Sequence, residues 1–264
     1  MTRTAIIAGS GQLPNVLAAQ LDAPVFVTFS DMSGDQSLPD GAEPCPARIE
    51  KLGRLFKALK GLGVTEVCFA GAMARPKVNP VMLDTHALKL VKALGRGDDG
   101  VLREVIALFE RQGFTVRGAA EIVPDLVLAA GTIWGRAPNK DARADIARAS
   151  EVLNALSPLD VGQGAVAVGG QMLGIETLQG TRAMLAFVAQ TPKHLRRAAG
   201  VFVKAPKSGQ ELRIDMPTIG PDTVEEVIAA GLGGIAIAAD TVIVLDRAKV
   251  KARIEEAGLF LIAQ

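Results

Sequence analysis

Thr4-Ala5-Ile6-Ile7-Ala8-Gly9-Ser10-Gly11-Gln12-Leu13-Pro14-Asn15 is the stretch that decides the fold class. Ala5–Ala8 is short and wholly apolar, the composition of a strand that is dry on both faces. It runs into a glycine turn and then a helix over Asn15–Leu21. Strand, turn and helix in that order open a parallel α/β unit. Pro24–Phe29 reads as the second strand. Ile49, Leu52, Leu55, Phe56 and Leu59 recur at helical spacing, with Lys51, Lys57 and Lys60 on the solvated side. Val64–Ala70 is a third strand, ending at Gly71-Ala72-Met73-Ala74-Arg75-Pro76. Further helices are expected over Val81–Leu94 and Gly100–Gln112, and another strand over Phe114–Arg117. The order predicts a Rossmann-like parallel sheet covered by helices.

The rhythm changes after residue 130. Residues 131–141 lose periodicity and read as a linker between a domain over 1–130 and another over 142–264. In the second domain a helix is expected over Ala142–Leu156. Two apolar runs, Ala165–Val168 and Met172–Glu176, flank Gly169-Gly170 as in a hairpin. Helices over 180–189, up to Ala230, and over Arg247–Ala257 alternate with strands at Ile235–Ala238, Val242–Leu245 and Leu259–Ile262. The whole chain is therefore expected to be α/β, with a C-terminal mixed domain following the Rossmann-like one.

Composition narrows the chemistry. The 264 residues carry 29 Lys plus Arg against 28 Asp plus Glu, which lacks the basic excess a nucleic-acid binder needs. Only two histidines, His86 and His194, are present, too few for His-rich di-metal sites, Cys/His zinc sites and most triads. Cys45 and Cys68 have no metal-ligand spacing and suit reduced thiols in a cytoplasmic protein. No signal peptide or apolar run of membrane-spanning length is expected. Hydrolytic chemistry would have to rest on carboxylates, Lys, Arg and a hard metal.

The motifs each have a bland reading beside a chemical one. Gly9-Ser10-Gly11 after the first strand invites dinucleotide binding, but Pro14 stands where the fingerprint needs its third glycine. The turn can still offer N–H groups to a phosphate or carboxylate at Gly9–Gln12, and Gly71 and Arg75 lie past the same sheet edge. Asp98-Asp99 is either a metal-binding pair or a helix cap. Asp160, before Gly162-Gln163, has the same ambiguity. Glu176 is a rim charge or a buried functional acid. Gly180-Thr181 binds phosphate or merely starts a helix.

Residues 204–226 add the densest group of charges. Polar and apolar side chains alternate from Gln210 to Met216, which predicts a strand with Glu211, Arg213 and Asp215 on one face. Pro217 ends it, and Gly220-Pro221-Asp222-Thr223 starts a helix. Lys204, Lys207, Arg213 and Asp215 are thereby expected near a helix start; a solvated charged face is the plain alternative.

Taken in order, Ala8 to Pro14, Gly71 to Pro76, Gly97-Asp98-Asp99, Leu159 to Gln163, and Lys204 through Lys207 to Asp215-Met216-Pro217-Thr218-Ile219-Gly220-Pro221-Asp222-Thr223 resemble the LpxI-type UDP-2,3-diacylglucosamine pyrophosphatases of lipid A biosynthesis. The resemblance covers nearly the whole chain. It implies hydrolysis of UDP-2,3-diacylglucosamine to UMP and 2,3-diacylglucosamine 1-phosphate, a divalent cation such as Mg²⁺, and two domains enclosing the lipid substrate. Asp215 maps onto the family's catalytic acid. Lys204, Lys207 and Arg213 are expected on phosphate oxygens. Gly9, Ser10, Gly11, Gln12, Gly71, Arg75, Gln163, Gly180, Thr181, Gln210 and Thr218 are expected on the substrate, and Asp215, Asp98 and Asp99 on metal. Contact with the inner-membrane surface follows from the lipid, and a homodimer is left open. One block departs: Gln179-Gly180-Thr181-Arg182 stands where Glu-Gly-Thr-Asp is expected. That departure keeps a second reading in view, a nucleotide-sugar- or NAD-binding module without hydrolase activity.

Overall fold

The computed structural model describes residues 2–264 apart from 31, 33, 35, 74–78 and 94–97; the side chains of 80, 91–93, 98 and 99 are also outside the description. The chain divides into two units, Met1–Pro124 with Glu211–Asp215, and Asp125–Gln210 with Met216–Gln264.

The first unit is built on five parallel strands in the order β3-β2-β1-β4-β5. These are β1 (Thr4–Ala8), β2 (Val25–Phe29), β3 (Glu43–Ala47), β4 (Glu66–Ala70) and β5 (Thr115–Arg117). All five residues of β1 are buried, as a central parallel strand requires. Helices α1 (Leu13–Ala18), α2 (Leu52–Gly61), α3 (Thr85–Ala93), α4 (Asp98–Arg111) and α5 (Ala119–Ile122) connect the strands. Leu52, Leu55, Phe56 and Leu59 of α2 face inward, where Phe56 meets Phe109 edge to face at 5.1 Å between centroids. The order reverses between β1 and β4, so the crevice at their carboxyl ends is the switch point of the sheet. Periodicity did not reveal β3: its sequence Glu43-Pro44-Cys45-Pro46-Ala47 has two prolines, tolerated because β3 is an edge. The helix expected from Val81 begins only at Thr85, since Asp84 Oδ1 accepts from the His86 and Ala87 N–H groups and fixes the start there.

The second unit holds six strands in the order β6-β13-β11-β9-β7-β8. These are β6 (Ile133–Gly135), β7 (Gly164–Val168), β8 (Gln171–Ile175), β9 (Val201–Lys204), β11 (Gly234–Ile237) and β13 (Phe260–Ala263). Strands β9, β11 and β13 run parallel, while β6 and β7 are antiparallel to their neighbours. A separate pair joins β10 (Thr218–Ile219) to β12 (Ile243–Val244). Ile146, Ala149 and Leu153 of α6 (Lys140–Leu156) pack on one face with Val201 and Val203. The opposite face packs Phe202 against Leu185, Val224 and Val250, from α7 (Gly180–Ala189), α8 (Pro221–Ala229) and α9 (Arg247–Glu256). Strand alternation therefore sends Lys204 to the same side as Phe202, toward α7. The hairpin turn at Gly169-Gly170 is held by buried Asp145, whose oxygens accept both glycine N–H groups at 3.0 and 2.7 Å.

Two expectations fail on local structure. Residues 131–141, expected as a linker, contain β6, which pairs with β13, and the first turn of α6. Three residues are too few for period-two alternation to show. The strand expected over 210–216 is instead a turn, closed by bonds from the Ile214 and Asp215 N–H groups to the Glu211 carbonyl. Its apolar residues do not share one dry face. Ile214 packs on the core of the first unit, whereas Met216 belongs to the second.

Candidate active-site residues

In the second unit the charged centre is Lys204, at the carboxyl end of β9 and 5% exposed. Its Nζ donates to Glu176 Oε2 at 2.8 Å and to Thr181 Oγ1 at 2.8 Å, and that hydroxyl donates to Glu176 Oε1 at 2.9 Å. Three side chains from β9, the end of β8 and the first turn of α7 thus close a ring of hydrogen bonds. Gly164 makes room for it, since a Cβ there would stand 2.5 Å from Glu176 Oε2. An ammonium has three donors, and among the described residues Glu176 and Thr181 take two of them.

Lys207 lies three residues on and pairs with Asp160, while its backbone N–H donates to Gln210 Oε1 at 2.9 Å. The Gln163 carbonyl accepts from the Ala205 N–H at 2.9 Å. Thr218, on β10, is exposed and donates to the Met216 carbonyl. The second unit thereby contains Lys204, Lys207, Thr181, Gly180, Gln163, Gln210 and Thr218 of the expected set.

In the first unit the two glycine turns lock onto each other. Gly9 and Ser10 donate their N–H groups to the carbonyls of Ala70 and Ala72, both at 2.7 Å, and Ala72 donates back to Ser10. Those two N–H groups are therefore consumed by structure, and of the expected Gly9–Gln12 cradle only Gly11 and Gln12 lie beyond this pairing. The backbones approach so closely that glycine is required: Gly71 has φ +85°, and a Cβ would sit 2.3 Å from the Ser10 carbonyl oxygen. Gly71→Ala is expected to lower the unfolding free energy by about 2–4 kcal/mol, combining backbone strain with overpacking, as read by urea denaturation.

Glu211–Asp215 belongs to this unit as well. The Arg213 guanidinium donates to both Glu211 oxygens at 2.9 and 2.8 Å and to Glu110 at 2.9 Å. The hydrogen bonds from Arg213 hold the Glu211 carboxyl below the usual carboxylate range. Arg213 is thus shared by two carboxylates, which suits holding the 211–215 turn onto α4 rather than binding phosphate. Asp215 follows that turn directly. Arg75 lies outside the described residues; Asp98 and Asp99 open α4 through their backbone, and their side chains are outside the description.

Among the described residues no three His, Cys, Asp or Glu side chains form a ready cation cage. Glu176 and Asp160 each already hold a lysine.

Family models supply the remaining evidence. One described as the LpxI N-terminal domain matches residues 3–126, and one described as the LpxI C-terminal domain matches residues 129–262. The chain belongs to the LpxI family. It is also 39% identical, over 99% of its length and 97% of the relative's, to the UDP-2,3-diacylglucosamine pyrophosphatase LpxI of Caulobacter vibrioides. In this LpxI chain the departure at 179–182 is absorbed locally. Arg182 pairs with Glu226 at 2.7 Å and Asp222 at 3.5 Å on α8, and Gln179 hydrogen-bonds Thr177. Neither touches Lys204 among the hydrogen bonds described. Glu176, which the sequence leaves open between a rim charge and a buried functional acid, is the acid on Lys204. Its signal was a lone acid closing an apolar strand, but only the β8–β9 geometry pairs it with Lys204.

Proposed function

We propose that this chain hydrolyses the diphosphate of UDP-2,3-diacylglucosamine, releasing UMP and 2,3-diacylglucosamine 1-phosphate. The observation that carries this reading is the full-length likeness, across both LpxI domains, to a protein bearing that activity in its name. In the reaction a water oxygen bonds to phosphorus, the bridging P–O bond breaks, and one proton is released. The leaving phosphate and the attacked phosphoryl both gather negative charge, which cations in a site of low dielectric stabilise.

Lys204 suits that task because its partners fix the ammonium before substrate arrives, so little reorganisation is needed. Lys207 supplies a second positive charge through a more exposed pair. Asp215 is assigned as the acid that orients water or accepts its proton. Arg213, held by Glu211 and Glu110, is assigned to positioning the turn that carries Asp215. Gly180 and Thr181 open α7 where its N-terminal N–H groups favour an anion.

A divalent cation, Mg²⁺ by preference, completes the proposal. The described acids form no cage of three, but Mg²⁺ commonly takes one or two protein carboxylates together with waters and substrate phosphates. Asp215 is the residue we would place on it, and when bound the ion neutralises diphosphate charge. The acyl chains of the substrate bring the protein to the cytoplasmic face of the inner membrane; no described helix is long and apolar enough to cross it.

The test is UMP release from UDP-2,3-diacylglucosamine by the purified chain. Release that EDTA abolishes and Mg²⁺ restores is expected. Tight binding without release would replace this reading with the non-hydrolytic module, and release unaffected by EDTA would remove the cation.

A further inference from the structure

The sequence leaves Asp160 open between a cation ligand and a helix cap. In the second unit the residue ends the helical turn Ser157–Leu159 in the left-handed region, with φ +55° and ψ +38°. Its N–H donates to the Ser157 carbonyl at 3.1 Å. Aspartate tolerates that conformation, but glycine and asparagine adopt it at least as readily. The turn alone therefore gives no reason for a charge at this position. The carboxylate itself is taken up by Lys207.

The same turn holds the chain around Lys207 by a second bond. Buried Ser157 accepts the Ser208 N–H at its Oγ. The loop also closes on itself, since the Gln210 N–H donates to the Lys207 carbonyl at 3.1 Å and the Lys207 N–H to Gln210 Oε1. The backbone of 207–210 is thus fixed by groups other than Asp160, which acts on the ammonium. Two residues after Asp160 the chain reaches Glu176, the acid on Lys204: a Cβ on Gly162 would stand 2.1 Å from the Glu176 carbonyl oxygen. One short segment therefore carries the acid of Lys207 and packs its backbone on the acid of Lys204. The Lys207 side chain is 17% exposed and that of Asp160 is 45%. An ion pair with so exposed a member adds little to stability.

We propose that Asp160 is a positioning residue, which presets the Lys207 ammonium alongside the Lys204 pair for the charge that develops on the diphosphate. The inference rests on the hydrolysis proposed above. Asp160 need not touch the substrate, whose phosphates carry the same sign. A tethered ammonium reorganises little as the bridging bond breaks, and that advantage is felt in the transition state. In the ground state the acid competes with the substrate for the same cation, so its loss does not weaken binding. The effect of removing it should therefore fall on kcat and spare KM.

The test is a kinetic cycle on UMP release by the full chain, using Asp160→Asn, Lys207→Met and the double variant, with urea unfolding of each. Asp160→Asn is expected to lower kcat about tenfold, with KM unchanged or lower and the urea midpoint of the parent. Lys207→Met is expected to lower kcat about 10²-fold. Adding Asp160→Asn to it should cost less than about twofold more, because no ammonium is left to hold. Losses that multiply in the double variant overturn the inference, as does Asp160→Asn turnover within about twofold of the parent. A raised Mg²⁺ requirement in Asp160→Asn would make the residue a cation ligand instead, and a urea midpoint that falls with kcat would make it structural. A parent chain that releases no UMP removes the hydrolytic reading and this inference with it. The other failures arise with the parent fully active, so the two are told apart.

Discussion

Asp215→Asn is expected to lower kcat for UMP release by about 10²-fold or more, with KM changed little. The substitution keeps the shape of the side chain and removes the charge and basicity on which orientation or deprotonation of water depends. The turn before it should persist, because its closing bonds run from the Ile214 and Asp215 backbone to the Glu211 carbonyl, and Arg213 stays clasped by Glu211 and Glu110. Circular dichroism and thermal unfolding should therefore match the parent chain. Turnover within about threefold of the parent would remove Asp215 from the reaction.

Lys204→Met is expected to affect both stability and rate. Taking one partner from a buried ion pair leaves the other charge uncompensated, at a cost of about 3–5 kcal/mol. Lys204 is 5% exposed and the Glu176 side chain 12%, so solvent can do little to relieve the carboxylate. Turnover should fall about 10²–10³-fold, the loss typical of removing a preorganised donor to developing negative charge. The double variant Lys204→Met/Glu176→Met separates the two roles. Replacing both charges with apolar groups should restore much of the unfolding free energy, as read by urea denaturation, but none of the turnover. If the double variant regained activity together with stability, Lys204 would be a structural residue only.

The sequence announces the first sheet far more clearly than the arrangement of its charges. Ala5–Ala8 and Val67–Ala70 are apolar throughout, so burial on both faces is visible in composition, and the glycine turns after them mark the switch point. Strand β3 is hidden because Pro44 and Pro46 argue against any strand, and only its edge position resolves the conflict. The turn at 212–214 has the alternation of a strand because alternation of polar and apolar residues is equally the signature of a segment whose successive side chains serve different bodies. Ile214 packs on the core of the first unit and Arg213 reaches Glu110, while Met216 returns to the second. The same limitation applies to the candidate site. Lys204 and Lys207 stand out in the dense run of charges, yet the acids that hold them, Glu176 and Asp160, lie 28 and 47 residues away, a separation no local pattern can bridge.

The assignment of Glu211–Asp215 to the first unit has a practical consequence. The chain passes between units after Pro124, after Gln210 and again after Asp215, so no single cut yields two intact bodies. A fragment ending near residue 124 would lack Ile214 as a plug for its hydrophobic interior and Arg213 as a clasp on Glu110. Grafting experiments that exchange the amino-terminal half between relatives should carry this five-residue insert with it, or the recipient will be left with an unfilled socket.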